Sequence, residues 1–204
     1  RATGLFFPVD PGANASLSVT HVTARADRLR KAGLIFAQFE APDAPIAAAF
    51  ALAREAGLTT ILNPSPYRAI QREILAATDI IIVNEQEAAA VARDLLWTGP
   101  NDGLAALLAA DGVRTLIVTR GPRGAQAWER GTLIDQPGFA VEVVSSIGAG
   151  DAFAGGLIAA LVEDQDLAAG LRWGCAAGAL AVAKLGLATA LPDKVALGAM
   201  LNGA

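Results

Sequence analysis

The sequence predicts an α/β fold: a mostly parallel sheet flanked by helices on both faces, with antiparallel strands at one edge. Three observations predict it. Between residues 32 and 119, short apolar runs of strand length alternate with helix-like runs, which is the pattern of a parallel sheet with both faces covered. The strand-like runs are too short for helices and are stopped by turn residues. After the Gly/Pro turn "RGPRG" (120–124), short runs follow with no helix between them, as hairpin-linked strands would.

Each element can be justified in turn. "AGLIFAQF" (32–39) is an apolar strand, "APIAAAFALAREAG" (44–57) has helical composition and ends at a glycine, and "TTILNP" (59–64) is β-branched and stopped by proline. A second unit follows with the strand "DIIIVN" (79–84), the helix-like "EQEAAAVARDLLW" (85–97), another helix-like run near 102–110 and the strand "RTLIVT" (114–119). Beyond the turn, "AQAWER", "GTLID" and "FAVEVV" (139–144) read as edge strands. The chain from Asp151 onward is helical by composition. At 204 residues and 53% hydrophobic content, the expectation is one domain over 1–204 with a full core.

Composition excludes several classes of function. A net charge of −4 from 16 basic and 20 acidic residues, with no like-charge block, leaves no electrostatic footprint for nucleic acid or an anionic membrane. A small-molecule partner is expected. One cysteine, Cys175, and one histidine, His21, cannot build a disulfide, a cysteine-rich zinc site or most histidine-based metal sites. His21 lies in a polar helix-like run and is given no role. The expected compartment is a reducing cytoplasm. The most apolar stretch, Gly174 to Leu191, contains Lys184 and is rich in Ala and Gly rather than Leu, so it reads as a buried helix and not a membrane span. The first residues lack the basic segment and apolar core of a signal peptide. Arg1 is not an initiating Met and enters a strand-like run.

In parallel α/β sheets, ligands sit outside the carboxyl ends of the strands. The residues there are Glu40, Asn63, Asn84 with Glu87, Thr119 with Gly121, and the glycine loop of "VVSSIGAGDAFAGGL" (143–157) with Asp151. Each has an ordinary explanation. Asn63 before Pro64 is a turn residue, and Asn84 with Glu87 three positions on is a helix N-cap and its capping-box partner. Their collection at one edge of the sheet is what argues for a site.

The glycine loop is not a P-loop, because no Lys-Ser or Lys-Thr follows its glycines. It is a poor dinucleotide fingerprint as well: the third small position is Phe153, and no strand with a terminal acid appears about 20 residues later. What remains is a turn whose Gly148, Ala149 and Gly150 amides can converge at the N-terminus of a helix starting near Asp151. Such an end binds anions and stabilises developing negative charge. Asp151 can be a favourable first-turn acid, or it can take a proton from a hydroxyl while the amides hold a transferring phosphoryl group.

The segment "SIGAGDAFAGGL" resembles the signature of the ribokinase-like, or PfkB, carbohydrate kinases. "DPGANASL" (10–17), "QFEAP" (38–42), "LNPSP" (62–66), "NEQEA" (84–88) and "TRGPRG" (119–124) also resemble segments of that family, in the same order and at similar intervals. The resemblance covers the whole chain and implies an ATP-dependent sugar kinase of ribokinase-like fold. It implies that Asp151 is the catalytic base and that Gly148, Ala149 and Gly150 form the anion hole. Asn84 and Glu87 match the family's Asn-x-x-Glu motif for magnesium and the nucleotide phosphates, Glu87 acting through water. Thr119, Gly121 and Gly124 fall in the segment that lies along ATP, and the small residues of "CAAGALAV" (175–182) would line the adenine pocket. Glu40 matches the contact to a sugar hydroxyl, and Asn63 lies in a loop facing the site.

The resemblance has two departures. Where the family usually carries Asp-Thr before the glycine loop, helping to hold a monovalent cation, this chain has Ser145-Ser146, which weakens the case for potassium. The family also carries an N-terminal Gly-Gly and Asn sugar-binding motif and a β-lid through which dimers form, and neither precedes Arg1. Ribose leads among the substrates because of "PGAN" and "QFE"; fructose, a sugar phosphate or a nucleoside would suit related pockets. Two other readings stand beside the kinase: a nucleotide-binding remnant without turnover, and a nicotinamide-dependent oxidoreductase, which the failed fingerprint opposes.

Overall fold

The computed structural model describes residues 12–186 and 188–203. The strand-like opening at Arg1 and the first two residues of "DPGANASL" lie outside the described residues. A 3-10 turn at Gly12–Ser16 leads into two short helices, α1 (Val19–Thr23) and α2 (Ala26–Leu29). His21 has a local task here: its ring accepts from the Ser18 N–H while the Ser18 hydroxyl caps the His21 amide.

The sheet and its crossovers follow as β1 (Leu34–Gln38), α3 (Asp43–Glu55), β2 (Thr59–Asn63), α4 (Arg72–Ala76), β3 (Ile80–Asn84), α5 (Glu85–Asp94), α6 (Asn101–Ala110) and β4 (Thr115–Thr119). A 3-10 turn at Gly121–Arg123 precedes β5 (Ala125–Glu129) and β6 (Thr132–Gln136), and the chain ends in α7 (Ala149–Val162), α8 (Leu167–Val182) and α9 (Lys194–Gly203). The six strands lie in the order β1-β2-β3-β4-β5-β6. The first four are parallel, and β5 and β6 add antiparallel to β4 and to each other, which is the predicted ribokinase-like arrangement.

Because the sheet grows in one direction and crossovers are right-handed, every crossover helix falls on the same face. The core records this. Ile81 and Val83 of β3 point into the cluster with Phe50, Leu104 and Leu108, from α3 and α6. Ile80 and Ile82 of the same strand point into the cluster with Phe153, Leu157 and Leu171, from α7 and α8. Strands buried on both faces are apolar at nearly every position, so the sequence runs are continuous rather than alternating; the buried Thr60 is accommodated because its hydroxyl donates to the Ala77 carbonyl (2.6 Å). Each fully buried Ile or Leu contributes about 1.5–3 kcal/mol.

One predicted strand is absent. Residues 139–144 form no strand, although they are rich in valine. The chain leaves the sheet at Gln136 and crosses the 121–124 turn so closely that a Cβ on Gly124 would sit 2.0 Å from the Gln136 carbonyl oxygen. Gly124 also has φ +87°, where a side chain is strained. The segment then docks on the end of α8, where the Val144 and Ser145 amides both donate to the Val182 carbonyl (2.8 and 3.1 Å). Val143 and Val144 remain 61% and 49% exposed; β-propensity here meets no neighbouring strand with which to pair. The helix α4 had no counterpart in the sequence reading, because five residues between a proline-rich loop and a strand carry too little periodicity.

Candidate active site

The four parallel strands end together, at Gln38, Asn63, Asn84 and Thr119. Register holds them in line: Gln38 pairs with Asn63, and Asn84 with Thr119. Polar residues at these ends cost nothing in burial, whereas one position earlier they would enter the core. The Asn63 side chain donates to the Ile82 carbonyl (2.8 Å), and the Thr119 hydroxyl donates to the Val83 carbonyl (3.4 Å), so both are tied to the central strand β3.

Asn84 and Glu87 form the capping box read from the sequence. The Asn84 side-chain oxygen accepts from the Glu87 amide and Glu87 Oε2 accepts from the Asn84 amide, each at 2.9 Å. The cap fixes both side chains at the edge of the sheet while Glu87 Oε1 has no hydrogen-bond partner among the described residues. Arg123 forms an ion pair with the neighbouring Glu85.

The glycine loop ends at Gly148, which caps α7 in the left-handed conformation (φ 78°, ψ 0°). Asp151 is therefore in the first helical turn, not at the cap itself, and no side chain caps this helix. The Ala149 amide reaches the Ser146 carbonyl only at 3.5 Å, and the Gly148 and Gly150 amides have no intramolecular acceptor among the described residues. Such free first-turn donors carry the positive end of the helix dipole. The exposed Asp151 carboxylate accepts from Gln38 Nε2 at 2.9 Å.

Beside this helix end lies a cavity of about 440 Å³, within the range of small-molecule sites. Thr119, Gly121 and Gly124 line one side, Ser146, Ala149 and Gly150 a second, and Cys175, Gly178, Ala179 and Val182 a third. The last four recur at i, i+3, i+4 and i+7, one stripe of α8. Ala176, Ala177 and Ala181 of "CAAGALAV" face the other way, toward Leu197 of α9. Burial pushes the Cys175 thiol up to about 12, with nearby Arg120 opposing it, so the thiol is neutral around pH 7. The side chain of Arg120 pairs with Asp135 (2.6 Å), while its buried Nε has no partner among the described residues.

Glu40 is exposed just past β1 and makes no hydrogen bond among the described residues. The loop that carries it is pinned by a residue the sequence reading missed. Arg68 donates to the Phe39 and Ala41 carbonyls and to Asp43, and its guanidinium lies 4.0 Å from the centre of the Phe39 ring. Gln38 was missed as well. The available signal is a polar residue closing a half-buried parallel strand, two positions before Glu40.

No group of three or more His, Cys, Asp or Glu among the described residues could hold a metal ion. The fit is to a metal that arrives with its ligand: magnesium needs only one or two carboxylates when phosphates supply other oxygens, and the unpartnered Oε1 of Glu87 is such a carboxylate oxygen. Ser145 is less suited to a cation, because its hydroxyl accepts from the Ile147 amide (3.4 Å) and its own amide occupies the Val182 carbonyl. Among the described residues no helix is long and apolar enough to cross a membrane.

Comparison with known proteins matches residues 5–194 to the model of the pfkB family carbohydrate kinases. The chain is 30% identical over 188 residues to ribokinase of Haemophilus influenzae, covering 90% of this chain and 60% of that protein. The structure resembles that of Thermotoga maritima ribokinase with a TM-score of 0.87 at 26% identity, covering 96% of this chain and 64% of the other. It also resembles Arabidopsis thaliana ribokinase complexed with ribose and ATP, with a TM-score of 0.80 at 28% identity over 87% of this chain and 58% of the other. The chain thus spans about three fifths of the length of these relatives.

Proposed function

The chain belongs to the pfkB family of carbohydrate kinases, and on that premise we propose that its complete gene product transfers the γ-phosphoryl group of ATP to a sugar hydroxyl, with ribose the first candidate. The observation that carries this is the placement of Asp151: a carboxylate in the first turn of α7, beside the Gly148 and Gly150 amides, which have no intramolecular acceptor among the described residues, and next in the chain to Gly150, which lines the 440 Å³ cavity. In the reaction the sugar oxygen attacks the γ-phosphorus, the bond from that phosphorus to the β–γ bridging oxygen breaks, ADP leaves, and the hydroxyl proton passes to Asp151. The Gly148, Ala149 and Gly150 amides face the negative charge that spreads over the transferring group.

Thr119, Gly121 and Gly124 lie along the nucleotide, and the α8 stripe of Cys175, Gly178, Ala179 and Val182 takes its apolar base. Asn84 and Glu87 would hold magnesium and the nucleotide phosphates at the edge of the sheet, Glu87 through water. Bound magnesium neutralises charge on the phosphate oxygens. Glu40 accepts from a sugar hydroxyl, on a loop that Arg68 holds in place. Residues 1–204 act as one domain, in the cytoplasm where ATP is supplied.

The test is ATP consumption by the complete gene product with magnesium against ribose, fructose, 2-keto-3-deoxygluconate, fructose 6-phosphate and adenosine, with and without potassium. Turnover on one of them is expected and names the substrate. A neutral hydroxyl pair at Ser145 and Ser146 makes turnover only weakly dependent on potassium. Nucleotide binding without turnover on any of the five would favour a catalytically impaired nucleotide-binding protein instead.

A further inference from the structure

Asp151 is tied to the sheet by a short chain of side-chain amides. Gln38 and Asn63 are register partners at the ends of β1 and β2. Gln38 Nε2 spends one N–H on Asn63 Oδ1 and the other on Asp151 Oδ1, both at 2.9 Å. Asn63 in turn donates through Nδ2 to the Ile82 carbonyl on β3 (2.8 Å).

Donor and acceptor parity sets the direction of this chain. The Ile82 carbonyl can only accept, so Asn63 must turn Nδ2 toward it and Oδ1 away. Asn63 Oδ1 can only accept, so Gln38 must turn its NH₂ toward it. The same NH₂ has a second hydrogen, and that hydrogen points at Asp151. Flipping either amide would bring two acceptors together, so the backbone of the central strand dictates which group meets the carboxylate 113 residues along the chain. Asp151 Oδ2 has no hydrogen bond among the described residues.

We propose that Gln38 is a positioning residue for catalysis, anchored by Asn63: it holds Asp151 Oδ1, fixes the rotamer of the carboxylate, and thereby makes Oδ2 the oxygen that takes the hydroxyl proton. This rests on the reading of Asp151 as the base. The carboxylate is exposed on a helix end with no other hydrogen bond to its side chain among the described residues, so without Gln38 it would sample several rotamers. Misplacement of a reacting group by 1 Å costs about 100-fold in rate. Gln38 is not among the residues that line the cavity that would take the nucleotide, so its effect is expected at the proton-transfer end of the site.

The experiment is a double-mutant cycle in the complete gene product, with magnesium-ATP and ribose or whichever sugar of the panel is turned over. Gln38→Met keeps the length of the side chain and removes both donors. It is expected to lower kcat by about 10-fold or more with the KM for ATP within about two-fold. In an Asp151→Asn background the same substitution should change the residual turnover by less than about two-fold, because the group it positions is already disabled. A fall of equal size in both backgrounds, or no fall in the parent, overturns the relay and leaves the base assignment standing on the Asp151→Asn loss alone. A parent without turnover on any sugar overturns the kinase reading and the relay with it. If Gln38→Met does not fold, Gln38→Asn takes its place in the cycle: it keeps the amide on a stem one methylene shorter, which cannot reach Asn63 and Asp151 together, and the same outcomes decide.

Discussion

Replacing Asp151 with asparagine changes one atom of the site and little of its geometry. Asparagine Oδ1 still accepts from Gln38 Nε2, which now lies 2.9 Å from the carboxylate, so the side chain keeps its anchor. The helix loses a first-turn negative charge, worth about 0.3–1 kcal/mol at an exposed position. What disappears is the capacity to take a proton. General-base catalysis contributes about 10²–10⁴ in rate, which at 1.36 kcal/mol per decade is about 2.7–5.4 kcal/mol of transition-state stabilisation. The catalytic loss is therefore several times the stability loss, and the two separate cleanly. A coupled assay of ADP release at saturating sugar should show kcat reduced by about 10²–10⁴ with the KM for ATP little changed, and chemical denaturation should move by no more than about 1 kcal/mol. Turnover within a few-fold of the parent would refute the base assignment. A KM for ATP that rises in step with the loss of kcat would refute it differently, by showing that Asp151 binds nucleotide.

Two further outcomes test the cavity. A Cβ at Gly150 would meet nothing within 4 Å, and Gly150 lines the cavity, so Gly150→Val should fold normally by circular dichroism yet lose nucleotide binding by calorimetry; full binding would place the phosphates elsewhere. Cys175 has its thiol raised from 9.0 to about 12 by burial, so the folded state prefers the protonated form: its contribution to stability is complete below pH 9 and is lost as pH rises from 9 toward 12. Cys175→Ala should fall off less steeply than the parent over that window in urea titrations, and the parent thiol should resist alkylation at pH 7 until the protein unfolds.

Local signals carried most of the architecture. Strands buried on both faces are the easiest to read, because β2, β3 and β4 carry no charged residue and, before their last position, only β-branched or aliphatic side chains, the polar ones being threonines. The capping box at Asn84 and Glu87 was equally readable, since both partners lie within one turn. What failed was valine-rich 139–144, where composition favours a strand but the chain has no neighbour to pair with and instead donates to Val182. The roles of Gln38 and Arg68 are not legible in the sequence, because their partners are 25 to 113 residues away. Their type and position are visible in the sequence, but their direction depends on packing of distant segments.

The strand ends and the α7 end, which the proposed phosphoryl transfer would bring together, come from parts of the fold with different constraints. The strand ends are fixed by register, because a slip of one residue would draw a polar end residue inward and break the line in which Gln38 pairs with Asn63 and Asn84 with Thr119. The α7 end is fixed by helix packing, with Phe153 and Leu157 buried against the sheet and Gly156 so close to α8 that a Cβ would lie 2.6 Å from the Trp173 carbonyl oxygen. Neither constraint alone sets where the Asp151 side chain points, since it stands on the exposed side of α7. The Gln38 amide spans that gap, and it can do so only because the parity of its hydrogen bonds is imposed from the Ile82 backbone. In the proposed reaction, precision at the reacting atom would thus come from the central parallel strand, buried on both faces, and be delivered to a helix end where the Gly148 and Gly150 amides have no intramolecular acceptor among the described residues.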